Sequence, residues 1–373
     1  VRIVHVSDCY APRTGGIETQ VRDLARAQAA AGHEVHVLTA TPGPEGERGG
    51  VVTDDEGVRV HRLGAHVPFD LPINPGAVPR MRSLLAELAP DVVHVHAGVV
   101  SPFAFDGARL ALDVGAPTAI TWHCMLDGAV PALRAAASRT RWRTAPAALS
   151  AVSAAAAERV AAVFDTEVGV VPNGMDVERW SPHAEPAGTV VLRAVATMRL
   201  APRKRGPALV AVVEDAMTQL DPGSLVVDVF GDGPTRDRMA RSVRRRGLDD
   251  VVRLHGRVPR EELWAAYQGA HVFLAPAVLE AFGIAALEAR SAGLVVIAHR
   301  GTGVAEFVTD GEDGLLVDDD AQMARALVRL AHEPELRVRL QARARAVPPP
   351  FAWPAVLARA DAEYARARSI VGR

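Results

Sequence analysis

The chain has 373 residues, 49% of them hydrophobic and 23% charged, with a formal net charge of -2. This balance excludes a disordered or fibrous chain and gives no global attraction for nucleic acid, and the length predicts two domains of roughly 100 to 200 residues each. Cys9 and Cys124 lie far apart without metal-ligand spacing, which predicts reduced thiols and a reducing compartment.

Val1-Arg-Ile-Val-His-Val6 opens directly as a strand pattern, with no cationic leader ahead of a long apolar segment. The alanine-rich stretch from Ala145 to Phe164 is interrupted by Glu158 and Arg159. No run reaches the roughly 20 apolar residues of a spanning helix. The expectation is a cytoplasmic protein.

Short apolar runs then alternate with helical patterns, the pattern of a parallel α/β sheet covered on both faces. The first strand is Val1–Ser7. A helix follows Gly15-Gly16, its stripe formed by Ile17, Val21, Leu24, Ala25 and Gln28, and Gly32 stops it. Further strands are expected at Glu34–Thr39, Val58–Leu63, Asp91–His96, Pro117–Trp122, Ala148–Val152 and Glu167–Val171. The polar, Pro-containing stretch Ser181–Gly188 reads as a linker, giving a first domain over 1–182 and a second over 183–351. In the second, strands are expected at Thr189–Ala196, Ser224–Phe230, Val251–His255, His271–Ala275, Leu294–Ala298 and Gly314–Val317. After Pro348-Pro-Pro350, residues 352–373 carry a closing helix whose Trp353, Val356, Leu357 and Tyr364 are suited to pack back on the first domain.

Ligands of open α/β sheets bind beyond the carboxyl ends of the strands, so the loops there carry the chemistry. Lys204 is the only lysine among 42 basic residues. It sits in Arg199-Leu-Ala-Pro-Arg-Lys204-Arg-Gly206 after a strand, where a compact ammonium suits point-charge contact with phosphate and Arg199 can bind two oxygens. Arg203 and Arg205 read as solvated neighbours.

Glu280-Ala-Phe-Gly-Ile-Ala-Ala-Leu-Glu288 is the strongest motif. Its glycine at a helix start exposes the N–H groups of Phe282, Gly283 and Ile284 to an anion. Carboxylates repel phosphate, so Glu280 and Glu288 suit the hydroxyls of an attached sugar and ribose. The competing reading makes Glu280 a helix-start charge and Glu288 a solvated face residue.

With Gly15-Gly16-Ile-Glu18, Gly32-His33-Glu-Val35, Thr121-Trp-His123, Pro172-Asn-Gly-Met-Asp176, Gly231-Asp-Gly-Pro234 and Gly303-Val-Ala-Glu306, these motifs resemble, in order, the family 4 (GT4) retaining glycosyltransferases. The resemblance spans nearly the whole chain and implies a GT-B fold, two Rossmann-like domains facing each other across a cleft. It implies transfer of a hexose-type sugar from a nucleotide diphosphate sugar to a small-molecule or lipid-linked hydroxyl acceptor, with retention, by a front-face mechanism, without a metal or other cofactor. By the same resemblance Arg199 and Lys204 hold the donor diphosphate and Glu280 holds the sugar, with the amides after it. Glu288 holds the ribose, and His123 lies beside the transferred sugar. Gly15, Gly16, Asn173 and Gly231 join the donor site, and the backbone at Arg257-Val258 meets the nucleobase. Departures from the family pattern are Ala277, Ala281 and Arg205, which bear on donor selectivity.

Other enzymes of the same fold, a nucleotide-sugar epimerase or a phosphorylase, and a non-catalytic nucleotide-sugar sensor are the alternatives. Gly231-Asp-Gly233 lacks the third glycine of a dinucleotide fingerprint and reads as a turn. Asp318-Asp-Asp320 reads as a helix cap. His94 and His96 share a strand face, but with no companion cluster in view they are not assigned to a metal. Arg134, Arg139, Arg141 and Arg143 read as a solvated helix, and they are where a contact with the inner face of a membrane would fall.

Overall fold

A computed structural model describes residues 1–13, 15–65, 74–182 and 191–372. Most of the expected linker, and Thr189 and Val190 of the expected strand after it, lie outside the described residues.

In chain order the first part holds β1 (Arg2–Ser7), α1 (Gly16–Ala30), β2 (Glu34–Thr39), β3 (Val51–Asp55), β4 (Val58–Arg62), α2 (Val78–Leu88) and β5 (Val92–Ala97). It continues with α3 (Pro102–Asp113), β6 (Thr118–Trp122), α4 (Val130–Ser138), β7 (Ala148–Ala151), α5 (Ala154–Phe164) and β8 (Gly169–Val170). The second part holds α6 (Val177–Trp180), β9 (Leu192–Thr197), α7 (Gly206–Met217), β10 (Leu225–Phe230), α8 (Arg236–Arg245), β11 (Val252–Gly256) and α9 (Arg260–Gln268). Then come β12 (Val272–Ala275), α10 (Ile284–Ser291), β13 (Val295–His299), β14 (Gly314–Val317), α11 (Asp320–His332), α12 (Pro334–Ala346) and the closing α13 (Trp353–Val371). Two compact units result, Val1–Met175 with Phe351–Arg373, and Asp176–Pro350. The change of unit thus falls at Asp176, ahead of 182/183, because Trp180 on α6 is buried against Tyr267 of α9, ring centroids 5.5 Å apart.

The first sheet runs β3-β4-β2-β1-β5-β6-β7-β8 and the second β11-β10-β9-β12-β13-β14. Among the described residues every pairing of these strands is parallel except β3 with β4, a hairpin at the sheet edge. Sequence reading missed β3: its exposed Val51 and Val52 precede Thr53, Asp54 and Asp55, and an edge strand needs no continuous apolar run. The order reverses at β1/β5 and at β9/β12, so each unit has a topological switch point at the carboxyl ends of those strands.

Parallel strands covered on both faces read as apolar runs, and β1, β5 and β6 are buried almost throughout. One face departs from this. Register aligns His5 with His94, His96 with Thr121, and Thr121 with Ser150, so polar side chains follow Ile3, Val92, Ala119 and Ala148 along the same face. The apolar end packs on Ala360, Tyr364 and Ala367 of α13.

Candidate functional site

In the second unit the loops after β9 and β12 meet at the switch point. Lys204, in a short turn ahead of α7, donates from its Nζ to Glu280 of the β12 loop, and both side chains are largely buried. The two proposed donor groups therefore hold each other. Arg199 is exposed and makes no ion pair with a described residue. Leu200 accepts hydrogen bonds on its carbonyl from the Thr235 amide and hydroxyl, at 2.9 and 2.7 Å, and its own amide donates to Asp232 at 2.9 Å. These bonds fasten the cationic loop to the loop after β10.

Arg205 corrects the expectation of a solvated neighbour. It has a positive φ of 57° and forks onto Asp320 at 2.9 and 2.7 Å, while the same guanidinium donates to the Pro276 carbonyl at 2.9 Å. Its role is to tie the β9 loop to the β12 loop and to α11. Asp320 is thereby engaged, and the cap of α11 is Asp319, whose carboxylate accepts from the Gln322 amide at 2.7 Å.

Gly283 is the N-cap of α10 with φ of 92°, and no side chain caps that helix. A Cβ there would lie 2.9 Å from Val304, so glycine is required for both conformation and space. The amino end of α10, beside Glu280, thus has no side-chain cap, and its polarity favours an anion. Phe282 is buried, and Gly283 and Ile284 are half-buried. Glu288, one helical turn on, is buried and paired with Arg260 of α9 at 2.8 Å. Arg260 also lies over the Trp180 ring, 5.7 Å from its centroid. Glu288 is therefore not a solvated face residue. Arg260 is a partner that sequence reading did not find.

Gly231 has φ of 120°, and a Cβ there would fall 1.9 Å from the Met198 carbonyl, so the tight turn expected of Gly231-Asp-Gly233 is built on glycine. Arg257 and Val258 follow β11, the first exposed and the second half-buried.

In the first unit Gly15 is the N-cap of α1 and Gly16 its first residue, again without a side-chain cap. Asn173 follows β8 and is buried; its neighbour Gly174 exchanges two 3.0 Å hydrogen bonds with Gln20 of α1. His123 follows β6 with its amide on Ala97 at 2.9 Å. Its ring and Asn173 line a pocket of about 10 Å³, room for about one water.

His94 and His96 have companions, contrary to expectation. His5 and His96 approach at 2.9 Å, and His96 and His123 at 2.9 Å. Ligand atoms of His5, His94 and His96 lie within 4.8 Å of one another, the spacing of a metal site. Each ring nitrogen of these three is already hydrogen bonded: His5 also to Gln28 at 2.7 Å, and His94 to Tyr364 at 2.8 Å and Thr121 at 2.7 Å. Burial lowers the pKa of His5 and of His123 to about 4, and those of His94 and His96 well below the usual value, so all four are neutral near pH 7. The alternation in Val92-Val-His-Val-His96, and polar Gln28 in the apolar stripe of α1, were the signals for this cluster.

On α4 and beyond it Arg134, Arg139 and Arg143 are exposed, and Arg143 pairs with Asp165 at 2.7 Å. Among the described residues no helix is long and apolar enough to cross a membrane.

Two Rossmann-like units with these switch-point loops define a GT-B glycosyltransferase. A glycosyltransferase from Rickettsia africae matches 98% of this chain and 98% of its own, with a TM-score of 0.76 at 15% identity. Sucrose-phosphate synthase from Thermosynechococcus elongatus matches 99% of each chain, with a TM-score of 0.74 at 21% identity. The model described as Glycosyltransferase Family 4 matches residues 14–179, and that described as Glycosyl transferases group 1 matches 186–347. The chain belongs to the GT4 family of glycosyltransferases and is an enzyme of that class. It is 28% identical to a phosphatidylinositol N-acetylglucosaminyltransferase subunit of Arabidopsis thaliana, over 88% of this chain and 73% of that one. It is 27% identical to a GDP-mannose-dependent alpha-(1-6)-phosphatidylinositol monomannoside mannosyltransferase of Mycobacterium tuberculosis, over 85% of each. With a D-inositol 3-phosphate glycosyltransferase of an Arthrobacter species it shares 28% identity, over 90% of this chain and 86% of that one.

Proposed function

We propose that this glycosyltransferase moves a hexose-type unit from a nucleoside diphosphate sugar to a hydroxyl acceptor with retention and without a metal. The observation that carries the reading is the Lys204–Glu280 pair at the second unit's switch point, beside the uncapped amino end of α10. Donor binding would exchange that pair: the ammonium turns to a diphosphate oxygen, and Glu280 accepts from sugar hydroxyls. Arg199 and the amides of Phe282, Gly283 and Ile284 add positive character where the leaving group gains charge, the role otherwise filled by a metal. Glu288, oriented by Arg260, accepts from ribose hydroxyls. His123 meets the transferred sugar, and Gly15, Gly16, Asn173, Gly231, Arg257 and Val258 complete the donor contacts.

In the front-face step the bond from the anomeric carbon to the β-phosphate oxygen breaks while the acceptor oxygen bonds to the same face. The acceptor proton passes to a leaving-group phosphate oxygen. No protein base is needed. The names of the relatives favour an acceptor with an inositol or lipid-linked hydroxyl. The proposal places its action in the cytoplasm, with the exposed Arg134, Arg139 and Arg143 toward the inner face of a membrane.

The test combines the purified chain with GDP-mannose, UDP-glucose, UDP-N-acetylglucosamine or ADP-glucose and with inositol 3-phosphate or phosphatidylinositol vesicles. A ligand at a hundred times its dissociation constant adds about 2.7 kcal/mol of stability, so thermal shift selects the donor. Product anomeric configuration by NMR tests retention, and unchanged turnover in EDTA tests metal independence. Donor binding with no hydrolysis and no transfer to any acceptor would make the chain a sensor.

A further inference from the structure

The buried polar face of the first unit forms one continuous hydrogen-bonded chain. His123 Nε2 meets His96 Nδ1 at 2.9 Å, His96 Nε2 meets His5 Nδ1 at 2.9 Å, and His5 Nε2 meets Gln28 Oε1 at 2.7 Å. Gln28 Nε2 then meets the Tyr364 hydroxyl at 2.8 Å, which meets His94 Nδ1 at 2.8 Å. His94 Nε2 meets Thr121 Oγ1 at 2.7 Å, Thr121 meets Ser150 Oγ at 2.7 Å, and Ser150 donates to the Ile120 carbonyl at 3.4 Å. Apart from the half-buried ring of His123, every residue in the chain is buried.

Neutral imidazole carries one proton, so each ring donates at one nitrogen and accepts at the other. The choice at one link consequently sets the choice at all. A backbone carbonyl can only accept, so the Ile120 end fixes the direction: Ser150 donates to it, Thr121 to Ser150, His94 to Thr121, Tyr364 to His94 and the Gln28 amide to Tyr364. The Gln28 carbonyl then accepts from His5, His5 from His96, and His96 from His123. Reversal would require turning the Gln28 amide over and would leave the Ser150 bond to Ile120 without its proton.

We propose that this directed chain, with Gln28 as its pivot, holds His123 as the Nε2–H tautomer and so presents Nδ1 as a hydrogen-bond acceptor for a hydroxyl of the transferred sugar. His96, His5, Gln28 and Tyr364 are then positioning residues that never touch substrate. His123 Nδ1 makes no hydrogen bond to a described residue, and its ring lines the small pocket beside Asn173. The sugar half of the inference rests on the proposed transferase reading; the tautomer half does not.

The test is imidazole 15N NMR on the full chain at neutral pH without donor, resonances being assigned by single histidine-to-glutamine variants. The inference expects His5, His94, His96 and His123 all as Nε2–H. Nδ1–H forms at His5, His96 and His123, or a mixture at His123, would overturn it. Gln28→Met keeps the volume and removes the pivot, so His123 should become mixed and the KM for a donor such as GDP-mannose or UDP-glucose should rise about tenfold, with less effect on kcat. Gln28→Glu restores an acceptor for His5, and His123 should return to Nε2–H and KM towards the parent value, while His94 changes to Nδ1–H because Tyr364 now donates to the carboxylate. Unchanged KM in Gln28→Met with a mixed His123 would sink the sugar contact. A parent enzyme that consumes no donor counts against the transferase reading and is separable, since the spectrum needs no turnover.

Discussion

Lys204 and Glu280 are joined directly, one from the loop after β9 and the other from the loop after β12. An ammonium proposed for phosphate and a carboxylate proposed for sugar hydroxyls thus neutralise each other. Arg205, on Asp320 and the Pro276 carbonyl, keeps the two loops in place without depending on that pair.

Lys204→Ala and Glu280→Ala should each lower turnover at least about a hundredfold, the scale of a lost contact to developing charge, while circular dichroism and melting remain near those of the parent. Lys204→Arg should recover little, because a planar guanidinium does not replace a point charge on Glu280 and phosphate alike. Parent-like turnover in Lys204→Ala would remove the assignment.

Glycine at 231 is demanded by two constraints, φ of 120° and the Met198 carbonyl where a Cβ would go. Gly231→Ala should therefore cost about 3 kcal/mol or more. Gly301 has φ of 78° with open space around it, so Gly301→Ala should cost only about 1 kcal/mol. Urea midpoints of the two variants compare them directly.

Arg290, almost fully buried, reaches Asp313 at 2.7 Å and the Val347 carbonyl at 3.0 Å, and also bonds to the Ala344 carbonyl. Arg290→Met would leave the Asp313 charge buried without its partner. Loss of about 3 to 5 kcal/mol is expected, read as an earlier urea midpoint. Arg290→Met/Asp313→Leu should recover much of it, since the stranded charge goes too.

Acid should destabilise the first unit as the pH falls below about 6.5. Burial lowers His5, His61 and His123 to about 4, and holds His94 and His96 well below the usual imidazole value, against an unfolded value near 6.5. Below about pH 6.5 the unfolded chain binds protons that the folded one does not, so stability falls as pH drops, by about 1.4 kcal/mol per pH unit for each imidazole. Asp8 opposes this with a single group: burial raises it to about 6, so it favours the folded state as pH falls from 6 towards 4. Net loss of stability between pH 6.5 and 5 is the expected result of thermal melts across that range. A melting temperature constant over it would contradict the burial of these imidazoles as neutral rings.

Strand positions were legible because parallel strands buried on both faces spell apolar runs, and the glycine-bounded loops stood out between them. The edge strand β3 lacked that signature. Gln28 shows a different limit: as the one polar member of the α1 stripe it was countable, but its partners His5 and Tyr364 lie 23 and 336 positions away.

By itself the sequence determined the α/β alternation, the family, the loops that hold Lys204 and Glu280, and the motif that carries Glu288 on α10, since these depend on local periodicity and short motifs. Tertiary structure alone decided who partners whom: Lys204 with Glu280, Glu288 with Arg260, Arg205 with Asp320, and four histidines in one chain. Those pairings arise from strand order and register, which bring distant segments to hydrogen-bonding distance, and no local pattern encodes that distance.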